Sequence, residues 1–490
     1  MPKRKQFHIP AITILFFLLS GLLFSACDLL QTYTPAAMPS STAVVAIAST
    51  PAATNTPTIE PSITPTQAFY LTIPTSSLKG TQIRFWHPWQ GDLAIKTATR
   101  IIEFNNTNPW GITVSFYEPG GTSNLIESVH ASLDDSTWPN VVIAPSSTLA
   151  NWQGEYKNLI NLDEYIALAE NGLTEEEISD FNAVIWQQDR MAERRFGYPV
   201  SRDAFIMLYN QSWAYDIGYG TTPQTPAQFQ NQICSASKKN LDDEDETNDG
   251  TGGWIVNNDE AVIMSWLMAF EYNGLDDLYQ DQYQFLDPTS VRAFRFLRYL
   301  FDSECSWNAR NPTPYDYFAT RQALAISAQL SELPEIEYNM KFNESPDQWL
   351  AIPYPQAEKN QILFSEGQSF ALFAASPEEQ MASWLFIRWM NTPAYQAEII
   401  DATSTLPITA SVLDELQGYK THNPHWAQIV DNMDGLTALP TGASWIKARS
   451  VLSDAGWQLY QQADIENSTL AVTEIFSQVD QIIAELLDKE

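Results

Sequence analysis

The chain has 490 residues, with 59 acidic against 26 basic side chains and a net charge of −33. A field of that sign repels phosphate backbones and anionic headgroups, which argues against a nucleic-acid partner. Some 44% of residues are hydrophobic and 16 are Trp, which suits a large core and equally suits surfaces that stack on flat ligands. Only three Cys and five His occur, none at metal-site spacing, and no cofactor is implied.

Lys3, Arg4 and Lys5 precede an apolar run from Ile9 to Phe24 that stops at Ser25-Ala26-Cys27. A basic start, a short apolar core and small residues before a cleavage point read as a secretory signal. Cys27 stands where a lipoprotein signal places the thiol that receives diacylglycerol, and Leu23 to Cys27 resembles that lipobox except at Phe24. The alternative is an uncleaved anchor from Phe7 to Cys27, close to the ~20 residues a span needs. Either way the chain is expected to be held at the outer face of the cell membrane. Residues 1–26 are read as the signal and 27–79 as a linker of Pro, Thr, Ser and Ala, punctuated by Pro51, Pro57, Pro61, Pro65 and Pro74. That segment has too few apolar groups to offset the entropy of ordering.

From Thr81 the pattern becomes α/β. Thr81 to Trp86 reads as a strand, Leu93 to Phe104 as a helix, Ile112 to Tyr117 as a strand, Leu125 to Leu133 as a helix and Val141 to Ala144 as a third strand. Such alternation implies a parallel sheet with ligands beyond the carboxyl ends of its strands. Those ends are Trp86-His87-Pro88-Trp89-Gln90, then Glu118-Pro-Gly-Gly-Thr122, then Pro145-Ser146-Ser147-Thr148. Aromatic rings flanking a rigid proline, and a Gly pair that lets backbone approach a ligand, suit binding better than catalysis.

Gly197-Tyr198-Pro199-Val200 is followed by a polar Ser201-Arg202-Asp203 loop, an apolar strand ending in Tyr209-Asn210, and Pro223 and Pro226 opening a helix. Phe318 to Ile326, Ser369 to Ser376, and Leu406-Pro407 continue the pattern. Ser376 with Pro377 and Glu379 makes a capping box at a helix that puts Leu385, Phe386 and Trp389 on one face. In this order and spacing the segments from Thr81 onward resemble the extracellular solute-binding proteins typified by maltose-binding protein. The resemblance implies a two-lobed periplasmic-binding-protein-like α/β fold crossed three times at its hinge. Lobe one would be residues 80–198 and 367–405, lobe two 199–366 and 406–490.

The resemblance also places candidate ligand contacts. Trp86, His87, Trp89 and Gln90 lie at the mouth of the first strand, where sugar rings pack on aromatic faces and hydroxyls meet amides; Trp86 can equally be core. Asp203 falls where related binders put a carboxylate for hydroxyls, unless Arg202 pairs with it across the hinge. Ser146 and Ser147 stand where maltodextrin binders carry an aromatic and charged patch, a departure from maltose-type specificity. Asn257, Asn258 and Asp259 follow the strand Gly253 to Val256. Trp445 matches a late aromatic that stacks beneath a sugar, although a Trp on an amphipathic helix is commonly core. Asp245-x-Thr247-x-Asp249-Gly250 half resembles a calcium loop, but Val256 occupies the twelfth position, so a solvated loop is the plainer reading. With Cys27 lipidated, Cys234 and Cys305 remain as one disulfide pair or as two buried thiols.

The reading implied is the carbohydrate-capturing lipoprotein of an ABC importer, a monomer that meets permease subunits and performs no bond chemistry. Two others stand beside it: a secreted glycoside hydrolase, which needs two carboxylates with split pKa values, and a sensory or adhesive lipoprotein on the same fold.

Overall fold

The computed structural model describes residues 73–134, 137–191, 193–311, 313–356, 361–461 and 469–488. The signal, Cys27 and nearly all of the linker lie outside those residues. Among the described residues there are twelve strands: β1 Gln82–Trp86, β2 Thr113–Tyr117, β3 Val141–Pro145, β4 Arg190–Met191, β5 Arg194–Arg195, β6 Tyr198–Asn210, β7 Gly252–Ile255, β8 Ser306–Trp307, β9 Ala323–Gln329, β10 Trp349–Ile352, β11 Leu363–Leu372 and β12 Leu436–Ala438. Ten of them form one mixed sheet of order β2-β1-β3-β11-β6-β9-β7-β8, with β10 added to β6 and β12 to β11; β4 and β5 pair separately.

The first half of this sheet follows the sequence closely. β1 runs parallel to β2 and β3. Residues 141–144 of β3 are all buried, as befits a strand covered on both faces. The helix Gly91–Thr107 buries Leu93, Ala94, Thr97, Ile101 and Phe104, one stripe at three- and four-residue spacing. The helix Pro377–Met390 starts at the Ser376–Glu379 capping box. It sets Phe386 edge-on to Phe85 and Phe104, each at 5.2 Å.

β6 and β11 carry the chain through the middle of the sheet. The polar loop expected at Ser201 to Asp203 is instead strand: β6 is continuous over 13 residues. All three residues are paired in the ladder to β11, at Gln368, Gly367 and Glu366. Backbone pairing on this scale outweighs the turn preference of Ser and Asp. The first part of β6 lies against β11, and its second part lies between β9 and β10. Leu406 then joins from a third segment, its N–H donating to the Arg202 carbonyl at 2.7 Å. Residues 202, 367 and 406 therefore meet at one point, where a Cβ on Gly367 would collide with the Ser201 carbonyl.

Beneath this point lies a buried ion pair. Arg202 Nη2 donates to Asp189 Oδ2 at 2.9 Å, with both side chains fully buried. Asp189 also accepts from Ser369 Oγ at 2.7 Å and Ser146 Oγ at 2.6 Å, and Gln188 holds Arg202 Nε. The partner of Arg202 is thus Asp189, and the pairing with Asp203 considered from the sequence is not made.

In the second half, β7 is parallel to β8 and β9. The helix Pro226–Leu241, capped by the Thr225 side chain, covers it with Phe229, Ile233 and Ala236. Trp254 and Trp266 meet Phe229 in the same core. A disulfide joins Cys234 in that helix to Cys305 just before β8. The helices Trp445–Gln461 and Thr469–Leu487 close the core from outside. Among the described residues no helix is long and apolar enough to cross a membrane.

Candidate functional site

A cavity of about 950 Å³ lies beside the point where residues 202, 367 and 406 meet. Its walls come from both halves of the sheet. Trp89, Thr122 and Ser147 contribute from the ends of β1, β2 and β3, and Glu260, Ser331 and Arg449 come from the other half. Thr122 follows Gly120 and Gly121, whose φ values of 87° and 111° need a residue without Cβ.

Trp89 lines the cavity while only 7% exposed, and its indole N–H donates to Gln368 Oε1 at 2.8 Å. Asp203 lines the cavity too. It accepts from the N–H of Ala204 at 2.8 Å and of Ser331 at 3.1 Å, and burial pushes its carboxyl up to about 6. Ser147 lines the wall beside Thr148 and Asn151.

Other expected contacts fall elsewhere. His87 is fully buried between Phe85, Trp89 and Phe116, and burial drives its imidazole down to about 4. Trp86 is half-buried edge-on to Tyr117, and Gln90 is exposed at the start of the first helix; neither lines the cavity. Ser146 points inward to Asp189 and belongs to the hinge network. Trp445 is fully buried in the second core, stacked on Tyr283, and offers no face to a ligand. Asn258 and Asp259 line a separate, smaller cavity of about 420 Å³. Asp259 also caps the helix Glu260–Ala269, accepting from the Ala261 N–H at 2.9 Å.

The acidic loop is closed by its own hydrogen bonds. Asp245 accepts from the N–H and hydroxyl of Thr247, and Asp243 from Asp245 N–H and the Asn248 amide. Among the described residues no cluster of three or more His, Cys, Asp or Glu side chains could hold a metal ion.

The strongest electrostatic feature of the cavity was not foreseen. Arg449 is paired with both Glu260 and Glu366, the latter at 3.3 Å. Burial pushes Glu260 up to about 7 and raises Glu366, against the pull of the shared guanidinium. With Asp203 and Asp454 also in the wall, acids outnumber the one Arg. Such a surface accepts hydrogen bonds readily and repels anions. Residues 260, 366 and 449 are far apart in sequence, so no local spacing could have joined them. The signal that was available is the phase of the last helices: Trp445, Ala448, Leu452, Ala455 and Leu459 form its buried stripe. That stripe leaves Ile446, Arg449 and Ser453 to face the cavity.

The chain belongs to the bacterial extracellular solute-binding protein family, whose sequence pattern matches residues 99–428. Its fold is the two-lobed architecture of solved sugar-binding proteins. It is similar to the sugar-binding protein MalE of Xanthomonas citri, with a TM-score of 0.68 at 17% identity over 84% of this chain and 100% of that one. It is similar to the cyclic alpha-maltosyl-1,6-maltose binding protein of Arthrobacter globiformis, with a TM-score of 0.66 at 17% identity over 82% and 99%. UgpB of Mycobacterium tuberculosis, solved with glycerophosphocholine, has a TM-score of 0.67 at 16% identity over 83% and 98%. Among curated proteins none matches the chain in sequence.

Proposed function

We propose that this protein is the capture component of an ABC importer, held at the outer face of the membrane through a lipid on Cys27. It binds a neutral carbohydrate between two lobes, residues 80–198 with 367–405 and 199–366 with 406–490, and closes by hinge motion. It meets a permease pair and its ATPase as a monomer and carries out no catalysis. The observation that carries this reading is the 950 Å³ cavity walled from both halves of the sheet, with Trp89 lining it beside hydroxyls and carboxylates. A sugar offers the matching surfaces: a C–H face for the ring and hydroxyl donors for Asp203, Glu260 and Glu366. The excess of acid in the wall disfavours phosphorylated and carboxylated solutes.

The experiment is titration of intrinsic Trp fluorescence of the full chain with a panel of mono- and oligosaccharides. A saturable change is expected with neutral sugars, and Trp89→Ala weakens it by about tenfold, the value of one good buried contact. Silence across the panel overturns the carbohydrate reading. A hydrolase is the second reading, because two raised carboxylates, Glu260 and Glu366, share the cavity. Release of new reducing ends from a bound oligosaccharide, lost in Glu260→Gln, would replace transport with hydrolysis; none is expected.

A further inference from the structure

Glu366 and Gln368 stand two apart on β11 and both line the larger cavity, as the alternation of a strand allows. Each is tied to a different half of the sheet. Glu366 pairs with Arg449, while Gln368 Oε1 accepts the indole N–H of Trp89, just beyond the end of β1, at 2.8 Å. The backbone of Gln368 is committed too. Its carbonyl accepts from Arg202 Nη1 at 2.6 Å, and Arg202 Nη2 donates to Asp189 Oδ2 at 2.9 Å. Trp89, Gln368, Arg202 and Asp189 thus form an unbroken chain of bonded groups from the cavity wall to the buried ion pair.

Two observations set Gln368 apart from an incidental contact. The first is the ladder. Gln368 lies opposite Ser201 of β6 but Ser369 lies opposite Pro199, so Val200 has no counterpart and the register shifts at Gln368. A bulge of this kind bends a strand and re-aims a side chain. The second is the chemistry of the acceptor. Trp89 is buried, its ring 5.7 Å from that of His87, whose nitrogens make no hydrogen bond among the described residues. An indole N–H left there without an acceptor is costly. A carboxylate would accept it, but the wall already carries Asp203, Glu260, Glu366 and Asp454 against Arg449. Gln supplies the oxygen without adding a charge.

We propose that Gln368 is a positioning residue of the cleft: it fixes Trp89 in the cavity wall and ties it to the Arg202–Asp189 pair, so that a sugar touching Trp89 acts on the strands where residues 202, 367 and 406 meet. The proposal rests on the carbohydrate reading of the cavity and on closure about those strands.

The test uses three variants of the full chain. Gln368→Leu removes the acceptor, Gln368→Glu keeps it, and Trp89→Phe removes the donor. Without ligand, the Trp89 indole N–H is identified by nitrogen-edited NMR as the signal lost in Trp89→Phe. It exchanges with solvent at the wild-type rate in Gln368→Glu and faster in Gln368→Leu. In calorimetric titration with malto-, cello- and manno-oligosaccharides, Gln368→Leu weakens binding about fivefold, the worth of one hydrogen bond. Combined with Trp89→Phe it weakens binding no further, because both changes break one bond. The Leu406 N–H, which donates to the Arg202 carbonyl, reports the far end of the chain. Saturating sugar slows its exchange in the wild type, and at equal saturation this slowing is lost in Gln368→Leu and in Trp89→Phe alike. Losses that add in the double variant overturn the proposal. So does an indole exchange rate that Gln368→Leu leaves unchanged or that Gln368→Glu fails to restore, and so does Leu406 protection that survives in either broken variant. In each of those cases sugar binding by the wild type leaves the carbohydrate reading standing. Silence of the wild type with every sugar overturns both.

Discussion

Trp445 and Ile446 are neighbours that face opposite ways, one wholly buried against Tyr283 and the other in the cleft wall. A helix turns by about 100° per residue, so position along the chain alone does not decide which of such a pair faces the cavity. The same holds at His87, which sequence places between two aromatic residues and structure buries with neither ring nitrogen hydrogen-bonded among the described residues. Its folded pKa of about 4 lies below the ordinary imidazole value of 6.5. As pH falls between those values the unfolded chain takes up a proton that the folded chain refuses, so stability is lost toward acid. At about 1.4 kcal/mol per unit the full window is worth about 3 kcal/mol. His87→Phe should remove this term. Urea unfolding at pH 7 and pH 4.5 would show the variant gaining on the wild type as pH falls; parallel losses in both would sink the argument.

At the scale of elements, β6 and β11 carry both the buried ion pair and part of the cavity wall. Their paired residues Asp203 and Glu366 face the cavity, while Arg202 beneath them holds Asp189. A wholly buried pair leaves an uncompensated charge when one partner is removed. Asp189→Ala should therefore cost about 3–5 kcal/mol in urea unfolding. Asp242→Ala, which breaks the exposed Lys238–Asp242 pair, should cost less than about 1 kcal/mol. Equal effects would mean that the hinge pair is not buried as described. The capping box at Ser376 and the first β–α units were legible in the sequence, because a cap, a turn and an apolar stripe each act within a few residues. The continuity of β6 through Ser201–Asp203 was not, because its cause is the ladder to residues 366–368.

For the whole molecule, the bridge between Cys234 and Cys305 closes a loop with a sequence separation of 71. In the chain-entropy model such a loop is worth about 4 kcal/mol. Cys234→Ser with Cys305→Ser should lower the denaturation midpoint accordingly, and reductant should do the same to the wild type and nothing to the variant. An unchanged midpoint would mean that the unfolded chain is not constrained by this link. The acidic surface bears on partners rather than on fold, since a net charge of −33 sets what approaches the cleft more than how the core packs.

The sequence by itself determined the α/β alternation, the helix opened by Pro226 and the capped helix start at Ser376. Each of these is encoded by residues adjacent along the chain or by short-range periodicity. Only the tertiary structure decided that Glu260, Glu366 and Arg449 share one cavity wall, that Ser146 serves the hinge while Ser147 lines the cleft, and that Trp457 rather than Trp445 stands free. Those outcomes depend on contacts between segments far apart in sequence, whose burial and charge pairing are fixed only once the sheet has brought them together.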